Sequence, residues 1–379
     1  MRLPLTSTAT SLFRSHRTMQ HFVCKQTSTV DAFGHSFSVY QHKVHGMNVV
    51  FYPIPGPLCH FSLCLATNPP NDKGLPHCLE HLCFMGTKDY ARGYLDTLAV
   101  RCLSSGTNAF TETDHTVYSF DSAGATGLLE VLPVFLRHVL QPALLQPAFE
   151  TEIYHINGEG KEQGVVFCEM QGRENTEMDL LDNALRGLLY GEGSAYAYES
   201  GGKSRCIAQL SNAEVRAYHS AVYRCSNTGV LVCGQVDPAA TLEVIHGACQ
   251  DMASTPRPVQ EFGLVPMTAP QSRTQQFPSQ DTSQGSVTFG WRAPPRDDTR
   301  ALVALSVLMR YLSENSASPL YQAFVETPTP WASDISWDLA LTVQPHFELM
   351  FDAVPYSGEA DDEGGEGGVK AEDGDGEEE

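Results

Sequence analysis

Hydrophobic and polar positions along the first third of the chain predict two strands followed by a helix. Residues 48–55 (NVVFYPIP) and 60–67 (HFSLCLAT) are rich in β-branched and aromatic side chains, and a Pro-Gly-Pro turn separates them. From Leu128 to Leu140 the apolar positions recur every three or four residues, which is typical of a helix. A further helical stretch is expected from about Val165 to Tyr190.

Later segments mix strands and helices in an irregular order. Ser211-Asn-Ala-Glu214 matches a capping box, in which the serine and the glutamate bind each other's backbone amides, and it predicts a helix to about Tyr223. Residues 228–236 (TGVLVCGQV) predict a strand. Because the strict alternation of a parallel βαβ sheet is absent, the sequence predicts an α+β fold with a mixed, mainly antiparallel sheet packed with helices.

Length and proline content divide the chain. At 379 residues it exceeds what one ordinary core holds, and five prolines between residues 251 and 285 indicate a linker. A second block follows, in which a strand, two helices and two strands echo the order of the first block. The expected divisions are a basic extension, a main domain, the linker, a second domain and an acidic tail: 1–30, 31–250, 251–285, 286–357 and 358–379.

The net charge of −21 is unevenly distributed. Residues 358–379 hold eleven acidic residues and one lysine with almost no apolar side chain, so we expect a disordered tail. Residues 1–30 carry four basic residues and no acidic one, a composition compatible with organellar targeting. The remainder is still acidic, which argues against nucleic acid as a partner. No apolar run is long enough to predict a transmembrane segment.

The eleven cysteines form no CxxC pair, and several lie inside apolar runs. This usage is typical of reduced, buried thiols and predicts a cytoplasmic or mitochondrial matrix protein.

The segment LPHCLEHLCF contains the residues most suggestive of chemistry. On a helix His77 and His81, four positions apart, lie on one face and can hold one metal ion through two imidazoles. Glu80 lies beside them, placed to take a proton from an attacking water. The order H-x-x-E-H is the inverzincin arrangement.

A catalytic zinc site needs a third protein ligand, and a carboxylate-rich stretch downstream offers candidates. Glu162 and Glu169 are seven residues apart and would share one face of a continuous helix, so one could bind metal while the other supports a histidine. Spacing alone leaves Glu159, Glu162, Glu169 and Glu174 open.

Other polar residues have plainer interpretations. Asp114 and His115 lie in a predicted turn and are expected to serve its hydrogen bonding. His219 is expected to be a structural histidine of an amphipathic helix, and Cys78 a core thiol.

Several motifs in one order resemble the pitrilysin and insulysin family of inverzincin metallopeptidases, especially its presequence-protease branch. The matching segments are GLPHCLEHLCFMGTKDY, SSGTNAFTETDHTVYSF, GVVFCEMQGREN and ESGGKSRCIAQLSNAEV. The resemblance spans roughly residues 30–250 and continues more weakly to about residue 355.

This resemblance implies a role for each matching residue. It makes Glu80 the general base and Glu162 a second carboxylate that supports the metal site. It implies a zinc ion held by His77, His81 and Glu169. The implied peptide-binding residues are an edge strand and an apolar wall, formed by Asn108, Ala109 and Phe110 and by Phe84.

The family is usually longer, with two halves that enclose a peptide. We therefore expect one complete peptidase-family domain followed by a truncated related domain, with a second chain as a possible source of the missing half. The predicted function is a zinc endopeptidase of unstructured peptides. The alternative is a catalytically weak or inactive homologue that acts as a zinc-binding scaffold or partner subunit.

Overall fold

The structure, a computed structural model, describes residues 20–30, 34–250 and 269–356, with Met252, Pro256, Phe262 and Met267 between the last two ranges. By their internal contacts, the described residues up to 278, together with 340–346, form one compact unit, and the described residues of 279–339 and 347–356 form a second. The predicted acidic tail lies outside the described residues, as does much of the predicted linker. None of the described helices is long and apolar enough to cross a membrane.

The first unit is built on a seven-stranded sheet of order β1-β2-β3-β9-β4-β6-β5, in which only β3 and β9 run parallel. The predicted mixed, mainly antiparallel sheet is thus confirmed. A two-stranded ribbon, β7 with β8, lies apart from it. The strands of this unit are β1 (Phe22–Val30), β2 (His35–His42), β3 (Asn48–Tyr52), β4 (Leu58–Ala66), β5 (Ser104–Thr111), β6 (His115–Ala123), β7 (His155–Ile156), β8 (Glu162–Gln163) and β9 (Thr228–Cys233).

Helices cover one face of this sheet. Alternation along β4 buries Phe61, Leu63 and Leu65 and leaves the intervening side chains outside the core, and the apolar face of α3 packs on the buried side. The helices are α1 (Leu75–Cys83), α2 (Tyr94–Arg101), α3 (Ala125–Leu140), α4 (Gln146–Glu152), α5 (Val165–Arg173), α6 (Glu177–Tyr190), α7 (Ser204–Ile207), α8 (Asn212–Val222) and α9 (Pro238–Cys249).

The second unit contains a three-stranded sheet of order β10-β12-β11 and two helices. Its elements are β10 (Gln284–Arg292), α10 (Thr299–Ser313), α11 (Pro319–Phe324), β11 (Asp334–Ala340) and β12 (His346–Pro355). Trp291 stacks on Phe347 with ring centroids 4.7 Å apart, which joins the central strand to its neighbour.

Local signals predicted several elements correctly. The capping box forms as expected: Ser211 Oγ accepts from the amide of Glu214 at 3.3 Å, and Glu214 Oε2 accepts from the amide of Ser211 at 2.9 Å. The single helix expected over residues 165–190 is two helices, because Thr176 accepts a hydrogen bond from the amide of Asp179 and caps a new one.

The expected basic extension, residues 1–30, is wrong for residues 22–30. Residues 22–30 form β1, which pairs antiparallel with β2 at the edge of the seven-stranded sheet. The segment FVCKQTSTV is rich in valine and threonine, residues that favour strands, and this content outweighs its basic character. Only residues 1–19 of the expected extension lie outside the described residues.

A buried histidine cluster joins the start of the chain to α9. His42 is 2% exposed, its Nδ1 accepts from the amides of Val44 and His45, and its Nε2 therefore donates to Nδ1 of His246 at 3.1 Å. His21 stacks on His246 with ring centroids 3.6 Å apart. Burial, with the neighbouring His45, His246 and His21, lowers the pKa of His42 to about 4.

This cluster predicts a loss of stability in acid. Because the folded protein binds a proton at His42 less readily than the unfolded chain does, stability is lost as the pH falls from about 6.5 towards 4. That single group contributes about 2 kcal/mol between pH 7 and pH 5. His42→Asn keeps an acceptor for the turn amides and removes the titration, so urea unfolding at the two pH values should show a flatter dependence. His155→Asn is the control, and equal slopes in parent and His42→Asn would contradict the assignment.

Candidate metal centre

Helix α1 carries the H-x-x-E-H residues at the boundary of the core. It begins after Gly74, and its buried face is formed by Cys78, Leu79, Leu82 and Cys83, each 0% exposed. The burial of Cys78 confirms the expected core thiol. His77 and His81 lie on the other face, half-buried, with their rings perpendicular and their centroids 4.9 Å apart.

Glu169 on α5 faces both imidazoles. Its Oε1 lies 3.8 Å from Nε2 of His77, and its Oε2 lies 3.6 Å from Nε2 of His81. One donor atom from each of the three residues lies within 4.8 Å of the other two, the only such group of histidine, cysteine or carboxylate ligands among the described residues.

The remaining ring nitrogen of each histidine is held by an acceptor. Nδ1 of His77 lies 3.3 Å from the carbonyl oxygen of Gly201, and Nδ1 of His81 lies 3.1 Å from Oε1 of Glu152. A carbonyl or carboxylate oxygen only accepts, so both Nδ1 atoms carry the proton. In the neutral rings both Nε2 atoms therefore carry the lone pair, and both face Glu169.

This donor set fits a zinc ion. Two imidazole nitrogens and one carboxylate are typical of catalytic zinc, and two ligands each about 2.1 Å from a tetrahedral ion lie about 3.4 Å apart. The separations of 3.6 and 3.8 Å are close to that value and longer than a hydrogen bond. Acceptors on the second ring nitrogen are also typical of metal-binding histidines.

Burial and nearby charge affect the two histidines differently. Burial, together with the adjacent His81, lowers the pKa of His77, which favours the neutral ring that binds metals. Burial also acts to lower the pKa of His81, but its hydrogen bond with Glu152 and the charges of Glu80 and Glu169 outweigh burial and raise it.

Glu80 lies beside the three donors and is 9% exposed. Thr111, the last residue of β5, donates a hydrogen bond from Oγ1 to Oε2 of Glu80 at 2.5 Å. Thr111 Oγ1 also lies 3.4 Å from that of Thr116 on the neighbouring strand. These contacts fix the carboxylate to the sheet edge and leave Oε1 without a described hydrogen bond.

Comparison with known protein families identifies the fold. A model described as insulinase, peptidase family M16, matches residues 66–179, and a model described as the peptidase M16 inactive domain matches residues 209–340. Together they span more than half of the chain. The chain belongs to peptidase family M16, the pitrilysin family. The resemblance found in the sequence is thereby confirmed.

Relatives of this M16 chain are longer than it is. An uncharacterised Caenorhabditis elegans protein is 37% identical over 336 residues, covering 87% of this chain and 34% of the relative. Mouse mitochondrial presequence protease is 25% identical over 314 residues, covering 78% of this chain and 30% of the protease. The chain thus spans about a third of the length of the curated relatives it matches.

Solved structures show the same fold at low sequence identity. A peptidase M16 inactive domain from Pseudomonas fluorescens has a TM-score of 0.69 and 16% identity, covering 84% of this chain and 74% of that one. Pitrilysin has a TM-score of 0.62 and 12% identity, covering 88% of this chain and 36% of its own.

The expectation for Glu162 in this M16 chain is wrong. Glu162 lies in β8, ahead of α5, and its exposed carboxylate accepts a hydrogen bond from Tyr154. The helix starts only after Gly164, so the seven-residue spacing from Glu162 to Glu169 does not place both on one helical face. The carboxylate that contacts a site histidine is Glu152, at the end of α4.

The predicted peptide-binding residues lie at the sheet edge. Asn108, Ala109 and Phe110 are in β5, the last strand of the seven-stranded sheet, and Phe110 is 46% exposed. Phe84 ends α1 and is half-buried, with its ring against Tyr118 and Phe135. The peptide-binding roles of these four residues stay predictions.

The sequence interpretation missed three contributors to the site. They are distant from the motif along the chain, and no spacing rule connects them to it: Thr111, Glu152 and Gly201. The error over Glu162 had one local signal in the sequence. Gly164 directly precedes an apolar run, which marks the start of α5 and leaves Glu162 ahead of the helix.

These contacts predict which of two carboxylates affects metal binding. Glu152→Gln removes the charge that holds Nδ1 of His81, and we expect zinc affinity to fall about tenfold. Glu162→Gln is the matched control and should bind zinc as the parent does. Chelator competition measures both constants, and an effect confined to Glu162→Gln would contradict the arrangement.

Proposed function

We propose that this chain is a zinc-dependent peptidase domain that hydrolyses unstructured peptides. The observation that carries the proposal is the convergence of His77, His81 and Glu169 beside the buried Glu80. Zn²⁺, when bound, supplies a Lewis acid that polarises a peptide carbonyl and lowers the pKa of water. Membership of family M16 supports the same activity.

The protein's own residues would bind, orient and move a proton. Glu80 Oε1 takes a proton from the attacking water, whose oxygen joins the carbonyl carbon, and returns it to the amine as the C–N bond breaks. The hydrogen bond from Thr111 holds the opposite carboxylate oxygen and so fixes the direction of Oε1. Glu152 keeps the proton of His81 on Nδ1.

The open edge of β5 supports an extended peptide as substrate. An added strand would bind through main-chain hydrogen bonds, which any extended peptide can form whatever its side chains are. Because Thr111 at the end of this strand contacts Glu80, a peptide paired with β5 would lie beside the carboxylate. A segment already folded cannot pair in this way, so unstructured peptides fit best.

A second candidate is a metal-binding scaffold or partner subunit without turnover of its own. The match of residues 209–340 to the peptidase M16 inactive domain favours it, as does the chain's span of about a third of its curated relatives. In that case a second chain would supply further substrate contacts. The two candidates share the metal site and differ in catalysis.

Cysteine chemistry supports a reducing compartment. All eleven cysteines are free thiols, and Cys59, Cys78, Cys83, Cys225 and Cys249 are buried. We propose the cytoplasm or the mitochondrial matrix, where thiols stay reduced.

Zinc content tests the ligand assignment. The parent should bind one zinc ion per chain, and His77→Ala should lose most of it because two protein ligands hold zinc poorly. His60→Ala, on β4 and paired with Asp121, is the control and should keep the metal. Measured by atomic emission after dialysis, equal zinc in parent and His77→Ala would exclude the site.

Peptide cleavage tests the role of Glu80. Glu80→Gln keeps the shape of the side chain and removes its basicity, so we expect cleavage of a quenched unstructured peptide to fall at least a hundredfold. Zinc content should be unchanged, which separates this effect from loss of the metal.

Controls distinguish the two candidate functions. Chelation should abolish cleavage by the parent, and added zinc should restore it. A parent that binds zinc and cleaves no peptide would support the scaffold, whereas equal cleavage by parent and Glu80→Gln would show that Glu80 is not the base.

A further inference from the structure

A glycine-containing loop supplies the acceptor that orients His77. The loop, residues 199–203, lies between α6 and α7, and its Gly201 carbonyl oxygen is 3.3 Å from Nδ1 of His77. This contact keeps the ring proton on Nδ1 and directs Nε2 towards Glu169. Any movement of the Gly201 peptide would therefore change the direction of the metal-binding lone pair.

Two glycines, Gly74 and Gly202, allow the loop to reach the start of α1. A Cβ on Gly74, whose φ is 67°, would lie 2.3 Å from the Gly201 oxygen. A Cβ on Gly202 would lie 2.9 Å from the Gly74 Cα. Backbone thus packs directly on backbone, and a side chain at Gly74 would displace the very carbonyl that holds His77.

Asp72 binds both ends of this loop. Its Oδ1 accepts from the amide of Glu199 at 2.8 Å, and its Oδ2 lies 2.9 Å from Nζ of Lys203. Its carbonyl oxygen accepts from the amide of Lys203 at 2.9 Å. Asp72 lies two residues before Gly74, the N-cap of α1. Asp72 therefore connects the loop directly to the start of the metal-binding helix.

A second set of bonds fixes the Gly201 peptide from the side of α6. Arg186, only 6% exposed, donates to Oε2 of Glu199 at 2.9 Å and to the carbonyl oxygens of Tyr196 and Tyr198. Oε1 of the same Glu199 accepts from the amide of Gly201 at 3.0 Å. Gly201 is thereby bonded through its own amide as well as through its carbonyl. The amide of Gly202, which shares a peptide group with that carbonyl, donates to the carbonyl oxygen of Glu199 at 3.0 Å.

Apolar packing cannot replace these bonds on one side of the loop. An open cavity of about 560 Å³ is lined by Asp72, Glu199 and Lys203. Part of the loop therefore faces this cavity. The polar contacts are what restrain it there.

We propose that Asp72, with the loop 199–203, is a positioning element for His77 and sets the metal affinity of the site. This inference rests on the proposed zinc peptidase function. It adds residues that touch neither metal nor peptide and that act through the ring orientation of one ligand. Interactions of this kind typically change metal affinity by about 10- to 100-fold.

Two N-cap glycines offer a matched test. Gly74→Ala and Gly93→Ala both place alanine at positive φ, 67° and 79°, at the start of a helix, and only at Gly74 would the new Cβ meet the Gly201 carbonyl. We expect zinc affinity, measured by chelator competition, to fall at least tenfold in Gly74→Ala and to stay at the parent value in Gly93→Ala. Thermal unfolding of both metal-free variants reports the shared backbone strain.

Substitutions of Asp72 test the loop without steric change at the helix. Asp72→Ala should weaken zinc binding about tenfold, and Asp72→Asn should recover part of it because the amide oxygen still accepts from Glu199. In the metal-free protein, ¹⁵N NMR of the His77 ring should show the Nδ1–H form in the parent and a mixture in Asp72→Ala.

The outcomes separate this inference from the proposed function. Parent-like zinc affinity and ring tautomer in both Gly74→Ala and Asp72→Ala would overturn the positioning role, while zinc binding by the parent would leave the peptidase proposal standing. A parent that binds no zinc would overturn both.

Discussion

The arrangement of the site depends on how the proton of each histidine is held. Each imidazole of α1 has two nitrogens, and the two rings can share an ion with Glu169 only if the nitrogen that faces Glu169, which is Nε2 on both, carries the lone pair. Gly201 holds one Nδ1 and Glu152 the other, so the two Nε2 atoms face the same carboxylate. Without these two acceptors, spacing on a helix would bring the rings together but would not direct their lone pairs.

One backbone contact positions the carboxylates of Glu152 and Glu169 near the histidines. A Cβ on Gly164 would lie 2.2 Å from the carbonyl oxygen of Ile153, so only glycine lets α5 begin against the end of α4. The amide of Phe167 then donates to that carbonyl at 3.3 Å. Glu152 precedes Ile153 and Glu169 follows Phe167, so this junction sets the positions of both relative to α1.

Local chemistry explains what the sequence could predict. The i, i+4 spacing of His77 and His81 and the capping box at Ser211 involve neighbouring residues, whose geometry a helix fixes, and both form as expected. Asp114 was expected to serve the hydrogen bonding of its turn, and its carboxylate bonds to the ring of the adjacent His115 at 2.7 Å. Such residues need no knowledge of the rest of the fold.

Long-range contacts explain what it could not. Glu152 reaches His81 from 71 positions away, and Gly201 reaches His77 from 124, through elements whose packing no spacing encodes. Glu162 illustrates the opposite error, because it has the correct chemistry and an apparent helical register but lies ahead of the helix. Resemblance implied Glu169 as the third ligand, and the structure places it near both histidines, whereas only the packed structure identified the carboxylate that contacts His81.

Metal binding and catalysis make different demands on this chain. Every described group that holds or orients the proposed ligands lies between residues 72 and 203, within the first unit, so the proposed zinc site rests on residues of that unit. Turnover also needs donors for the charge that develops on the carbonyl oxygen, which are typically worth about 3–4 kcal/mol, or a factor of 10²–10³ in rate. The curated relatives are about three times longer than this chain, so donors of that kind are a separate question from the metal ligands. The proposed metal binding therefore depends on this chain's own residues more directly than the proposed catalysis does.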